Sequence, residues 1–179
     1  MRFFTRELYL RFNSPDDAVA DRADAEWEEA VSAYHTHLAR FSKTMNDRVR
    51  KFAEELCLHD AELLALQEDV ATSPTLPPTQ TPVAIISLRG IGRIFSLFYL
   101  SWGEMILSTA PDAWPFSPLR LHWLYDEIDL DPEPSPFHQY YHHVMLSDGR
   151  EISIPFYDVI VHSFSDKDSQ PAIVTRRRD

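Results

Sequence analysis

The chain has 179 residues, of which 44% are hydrophobic and 25% charged, the balance of a globular protein long enough to bury one sizeable core. Its formal net charge of −11 argues against a sequence-independent nucleic-acid binder, whose affinity comes from Lys and Arg neutralising phosphates. The basic run Arg176-Arg177-Arg178 is too short to reverse that. A single cysteine, Cys57, excludes an internal disulfide framework and multi-cysteine zinc or iron–sulfur sites.

One cysteine also fits a reducing compartment. The opening MRFFTRELYLRF interrupts its apolar residues with Arg2, Arg6, Glu7 and Arg11, unlike a secretory signal. No stretch approaches the roughly 18 apolar residues of a membrane span. The expectation is a cytoplasmic, single-domain protein over 1–179, with no membrane or nucleic-acid partner. A strongly acidic surface serves solubility, and it also suits a basic protein partner.

Residues 1–60 read as helical. Ser14 is placed as an N-cap with Pro15 at the first helical position and Asp16 and Asp17 facing the positive helix end. Trp27, Val31, Tyr34, Leu38 and Phe41 then recur at three- and four-residue steps, one apolar stripe along a long helix. A second helix after Ser42 turns Met45, Val49, Phe52 and Leu56 inward; the two are read as a helical hairpin, with a kink within one longer helix as the alternative.

The run from Cys57 to Asp69 can continue the helix or leave it as a strand; 61–70 is read as the strand, and 71–82, with four prolines, as a surface loop. Shorter apolar runs separated by turn signals follow over 83–164. Strands are expected at 83–88 and 93–100 around Arg89-Gly90-Ile91-Gly92, at 119–128, at 138–146 and 150–155 around Ser147-Asp148-Gly149, and at 158–164. An acidic, proline-broken loop separates the third from the fourth, and 165–179 is read as a frayed tail. The fold class is α+β: an N-terminal helical hairpin, then a largely antiparallel sheet of about six strands.

Three constellations invite a chemical reading. In His138-Gln-Tyr-Tyr-His-His143, strand alternation puts His138, Tyr140 and His142 on one side and Gln139, Tyr141 and His143 on the other. Same-side positions four residues apart are separated by about 13 Å, too far for two ligands that each sit about 2 Å from one zinc ion. At most one of these histidines could join ligands from elsewhere. Their bland role is in cross-strand pairs on a sheet surface.

The doublet His59-Asp60 is similar to the signature of metal-dependent phosphohydrolases of the HD type, with His35 or His37 as the upstream ligand. That superfamily implies an all-helical bundle, whereas strands follow Asp60 here. The competing reading has the pair ending the second helix, its imidazole near the negative helix end. On a regular strand His122, Leu124, Asp126 and Ile128 share one face and Trp123, Tyr125 and Glu127 the other. Asp126 or Glu127 is then placed to meet a histidine such as His138.

No nucleophile elbow or phosphate-cradling glycine loop occurs, Cys57 lacks activating neighbours, and 129–133 lacks the spacing of a calcium loop. No cofactor is therefore expected. Taken in order, FFTRELY, LHDAEL, WLYDEI and GREISIPFYDVIV resemble a group of small bacterial proteins of unknown function. That resemblance implies the α+β architecture and supplies no reaction. The leading expectation is a non-enzymatic binding protein, of immunity or accessory type, presenting Tyr125, Glu127, Tyr140 and Tyr141 to a basic partner. The alternatives are a metal-dependent hydrolase built from His59, Asp60, His35, Glu127 and His138, and a structural subunit of a homo-oligomer.

Overall fold

The computed structural model describes residues 1–72, 79–116, 118–131 and 139–166. Helices come first: α1 (Arg6–Phe12), α2 (Asp17–Phe41), a single tight turn at Ser42–Thr44, and α3 (Asp47–Glu55). Each helix start has its own side-chain acceptor, because the first N–H groups of a helix lack intrahelical partners. Thr5 Oγ1 takes the Leu8 N–H at 3.2 Å, and Asn46 Oδ1 takes those of Arg48 and Val49 at 3.0 and 2.9 Å. The cap of α2 is Asp16, two residues beyond the Ser14 expected, with its Oδ1 accepting from Ala18 and Val19 at 2.9 and 3.2 Å. Ser14 instead accepts from the Asp16 N–H and so shapes the approach to the helix.

The apolar stripe reads through to the structure. Trp27, Tyr34, Leu38, Phe41, Met45, Val49 and Phe52 are all buried. The helical region holds one helix more than the periodicity suggests: α1 packs on α2, while α3 lies against the sheet.

Among the described residues seven strands follow: β1 (Ala61–Thr72), β2 (Gln80–Gly90), β3 (Arg93–Ser101), the two-residue β4 (Ile106–Leu107), β5 (His122–Leu130), β6 (Tyr140–Leu146) and β7 (Glu151–Ser165). All pairings are antiparallel. The order β3-β2-β1-β5-β6-β7 returns to β3 through a β3–β7 ladder, so six strands close a ring. Closure removes most of the unpaired edge that an open sheet would leave. The β1–β5 seam is short, with only Ala61 opposite Trp123 and Glu62 opposite His122.

Two sequence boundaries change. The strands expected at 150–155 and 158–164 are one strand, β7, which pairs with β6 up to Phe156 and with β3 from there on, across an irregularity at Leu100/Ser101. The proline-rich 71–82 loop is narrower than composition suggests. Ala71 and Thr72 extend β1, Gln80 to Pro82 begin β2, and 73–78 lie outside the described residues. Pro82 is tolerated because the β2–β3 ladder stops at Val83 opposite Leu100, so no ladder bond on that side calls on the missing N–H. The region read as a frayed tail, 165–179, lies outside the described residues from 167 onward. Asp166 itself is buried against Arg89 at 3.0 Å.

Tyr140, His142 and Val144 of β6 stand opposite Phe156, Ile154 and Ile152 of β7, and all six are at most 1% exposed inside the ring. Phe52 of α3 enters edge-on against His142 and Tyr99, with ring centroids 5.1 and 6.0 Å away. Arg48 of the same helix pairs with Asp158 of β7 and fixes the helix to the sheet.

Candidate functional site

The chain enters the ring through a tight turn at Leu58-His59-Asp60-Ala61. The Ala61 N–H bonds Leu58 O at 3.0 Å, and Asp60 adopts φ 63. Aspartate is one of the few side chains that tolerate this left-handed conformation. The Asp60 N–H bonds Trp123 O at 2.8 Å. His59 Nδ1 donates to the carbonyl of Leu124, which turns Nε2 toward Asp60 Oδ2 at 3.4 Å. The pair thus pins the start of β1 to β5 and does not end a helix, since α3 stops at Glu55.

Around this turn the helices assemble a belt of rings. The Tyr125 centroid lies 4.8 Å from His59, 4.4 Å from Trp27, 5.7 Å from Phe4 and 6.1 Å from Tyr9. Tyr9 stacks on Trp114 at 5.8 Å with planes 9° apart, and meets Phe116 edge-on. Trp114 is held by its Nε1–H bond to Ser147 O at 2.9 Å and by Gly149 beneath it. A Cβ on Gly149 would sit 2.5 Å from the indole, and its φ of +79 suits glycine as well.

Both phenols are held above their ordinary value. Burial is the first cause for each, and the negative charge of Asp60 contributes to both. The Asp60 side chain is 72% exposed, and its ion-pair partner among the described residues is the His59 imidazole. The cluster therefore joins an exposed carboxylate to half-buried electron-rich rings, a combination suited to a guanidinium or ammonium group.

Glu127 and Tyr140 do not belong to such a surface, contrary to expectation. Glu127 is 0% exposed: Oε2 accepts the Arg2 N–H at 2.8 Å, and Oε1 accepts those of Phe3 and Phe4 at 2.7 and 2.6 Å. Its role is to hold the N-terminal segment against β5. Tyr140 is 1% exposed inside the ring. Tyr141 is half-buried on the outer side, stacked on His143 and edge-on to Trp102, on a different strand face from Tyr140.

Strict alternation along β5 also fails, for a local reason. Trp123 faces Leu146 and Tyr125 faces Met145, so Leu124 is an extra residue. Such a bulge flips every side chain beyond it. Asp126 and Ile128 join Trp123 inside the ring, while Tyr125, Glu127 and Asp129 turn to the helical layer. There His37 pairs with Asp129 at 2.5 Å, and Tyr34 Oη accepts the Ile128 N–H at 2.9 Å.

Inside the ring, the histidine partner of Asp126 is His142. His142 Nε2 donates to Asp126 Oδ2 at 3.0 Å, Tyr99 O–H donates to Nδ1 at 2.9 Å, and Trp123 Nε1–H donates to Asp126 Oδ1 at 2.8 Å. Burial, then the Asp126 charge, pushes the Tyr99 phenol well above its ordinary value, so it acts as a donor and not as a nucleophile. His138 lies outside the described residues.

Among the described residues, which leave out His138, the hydrolase set is not assembled. Among the described residues no three His, Cys, Asp or Glu side chains converge on a metal position. His59 is spent on Leu124, Glu127 on the backbone of Arg2 to Phe4, and His35 lines a groove between α2 and α3 with Ser42 and Glu54. No helix among the described residues is long and apolar enough to cross a membrane. No protein-family model and no curated protein matches the chain.

Proposed function

We propose that this chain is a non-enzymatic binding protein of the cytoplasm, of accessory or immunity type, that recognises a basic protein partner. The recognition surface is the belt formed by Tyr9, Tyr125, His59 and Asp60, with Trp114 and Phe116 at its rim. The observation that carries this reading is the exposed Asp60 carboxylate beside His59, whose ring packs 4.8 Å from Tyr125, with the Asp60 charge adding to burial in raising the Tyr9 and Tyr125 phenols. An arginine or lysine of the partner gains a charge-assisted bond to Asp60 and cation–π contact with the flanking rings. The net charge of −11 steers such a partner toward the protein.

Titration of the full chain with a short arginine-containing peptide, followed by NMR of aromatic and histidine resonances, tests the assignment. Saturable shifts at Tyr9, Tyr125 and His59 are expected. Shifts spread evenly over the acidic surface would overturn it.

A further inference from the structure

A different feature of the molecule offers backbone groups to a partner. Along β1 the edge away from β2 is joined to β5 only at Ala61 and Glu62, and the last bond on it among the described residues is from the Leu63 N–H to Leu121 O at 2.7 Å. Beyond that point 67–72 are exposed residue after residue, and among the described residues no strand pairs with this edge.

The direction of its backbone groups follows from the ladder. Leu63 points outward. Leu64 is an extra residue, since Leu63 faces Leu88 and Ala65 faces Ser87, and the parity of the strand therefore flips there. Leu66, Glu68 and Val70 then direct their N–H and C=O groups to the open side. Two observations agree. The Val70 N–H is taken by the neighbouring Asp69 Oδ1 at 2.7 Å and not by β2. Opposite Val70 stands Pro82, which has no N–H to give.

Residues 61–72 contain Glu62, Glu68 and Asp69 and no Lys or Arg. Glu62 is neutralised by Arg89 and Arg120 at 3.2 and 3.1 Å. Glu68 instead accepts the Met105 N–H at 2.8 Å and Asp69 accepts that of Val70, neither of them a cation.

We infer that the free edge of β1 takes up an extended, lysine- or arginine-bearing segment of a partner chain by strand addition at Leu66, Glu68 and Val70. Main-chain bonds give such a mode its affinity and alternate side chains its selectivity. A second copy of this chain is a poor occupant, because antiparallel self-pairing about the middle of the arm sets Glu68 and Asp69 against their own copies. The inference shares with the Asp60 reading only the sign of the partner's charge, and different variants test the two.

The probe is a short peptide alternating lysine and threonine, titrated into the full chain. The amides of Leu66, Glu68 and Val70 should shift and exchange more slowly. Affinity should fall about tenfold for the same peptide N-methylated at alternate residues. It should fall similarly for Val70→Pro, which removes an outward N–H and leaves the β1–β2 ladder intact, while Val70→Ala retains binding. Asp60→Asn should leave these shifts in place. Equal binding of the N-methylated peptide overturns the inference. So does edge protection that rises with protein concentration alone, which would identify a second copy as the occupant.

Discussion

The ring of Tyr125 lies 4.8 Å from the imidazole of His59, while His59 is itself bonded to Leu124, the extra residue of β5. One irregularity in one strand thus presents Tyr125 to the helices and anchors the turn that carries Asp60. Replacing Asp60 by Asn keeps the turn, because Asn also tolerates positive φ. It removes the charge that disfavours a tyrosinate nearby. The ionisation midpoints of Tyr9 and Tyr125 should therefore fall, as read from tyrosinate absorbance against pH.

Gly149→Ala should damage the same surface from below. The new Cβ meets the Trp114 indole in a conformation that alanine disfavours, and the expected loss of stability is about 3 kcal/mol. Because Trp114 stacks on Tyr9, its fluorescence should change together with the unfolding midpoint.

Glu127→Gln tests a structural role. The amide keeps one acceptor oxygen but turns an NH₂ group toward backbone N–H donors, at a cost of about 3 kcal/mol. Hydrogen exchange at Arg2, Phe3 and Phe4 should accelerate, while binding of a basic peptide at the Tyr125 surface is retained by the folded fraction.

Stability should fall at both ends of the pH range. Tyr9, Tyr34, Tyr99, Tyr125 and Tyr140 are all held above the ordinary tyrosine value, chiefly by burial. The unfolded chain loses these protons first, so stability drops as pH rises above about 10. His143 is held below its ordinary value, first by burial and then by the N-terminal ammonium. The unfolded chain gains that proton first, so stability also drops as pH falls below about 6.5. Denaturant midpoints across pH check both slopes; Tyr125→Phe should weaken the alkaline one and His143→Gln the acidic one.

The helices and most strands were legible because period and turn chemistry are local. The stripe from Trp27 to Phe41 and the glycine turns at Gly92 and Gly149 follow from neighbouring residues alone. The separation of Tyr140 and His142 from Tyr141 and His143 followed too, since β6 is regular there. What escaped was set at a distance. Nothing within WLYDEI marks Leu124 as a bulge, so strict alternation sends Glu127 to the surface and leaves Asp126 unmatched to His142. The burial of Glu127 depends on Arg2, Phe3 and Phe4, more than a hundred residues away in sequence. Ring closure depends on β7 changing partners at Phe156, where Pro155 and a break in periodicity suggested two strands.

The most direct test of the proposed recognition compares two substitutions that each remove one negative charge, by calorimetric titration with the arginine-containing peptide. Asp60→Asn and Asp21→Asn remove the same charge, but Asp21 is an exposed residue of α2 outside the aromatic belt. The account predicts that Asp60→Asn weakens binding at least about tenfold while Asp21→Asn leaves it nearly unchanged. Equal weakening by both would show that overall charge alone attracts the peptide, and would contradict a site at Tyr9, Tyr125 and Asp60.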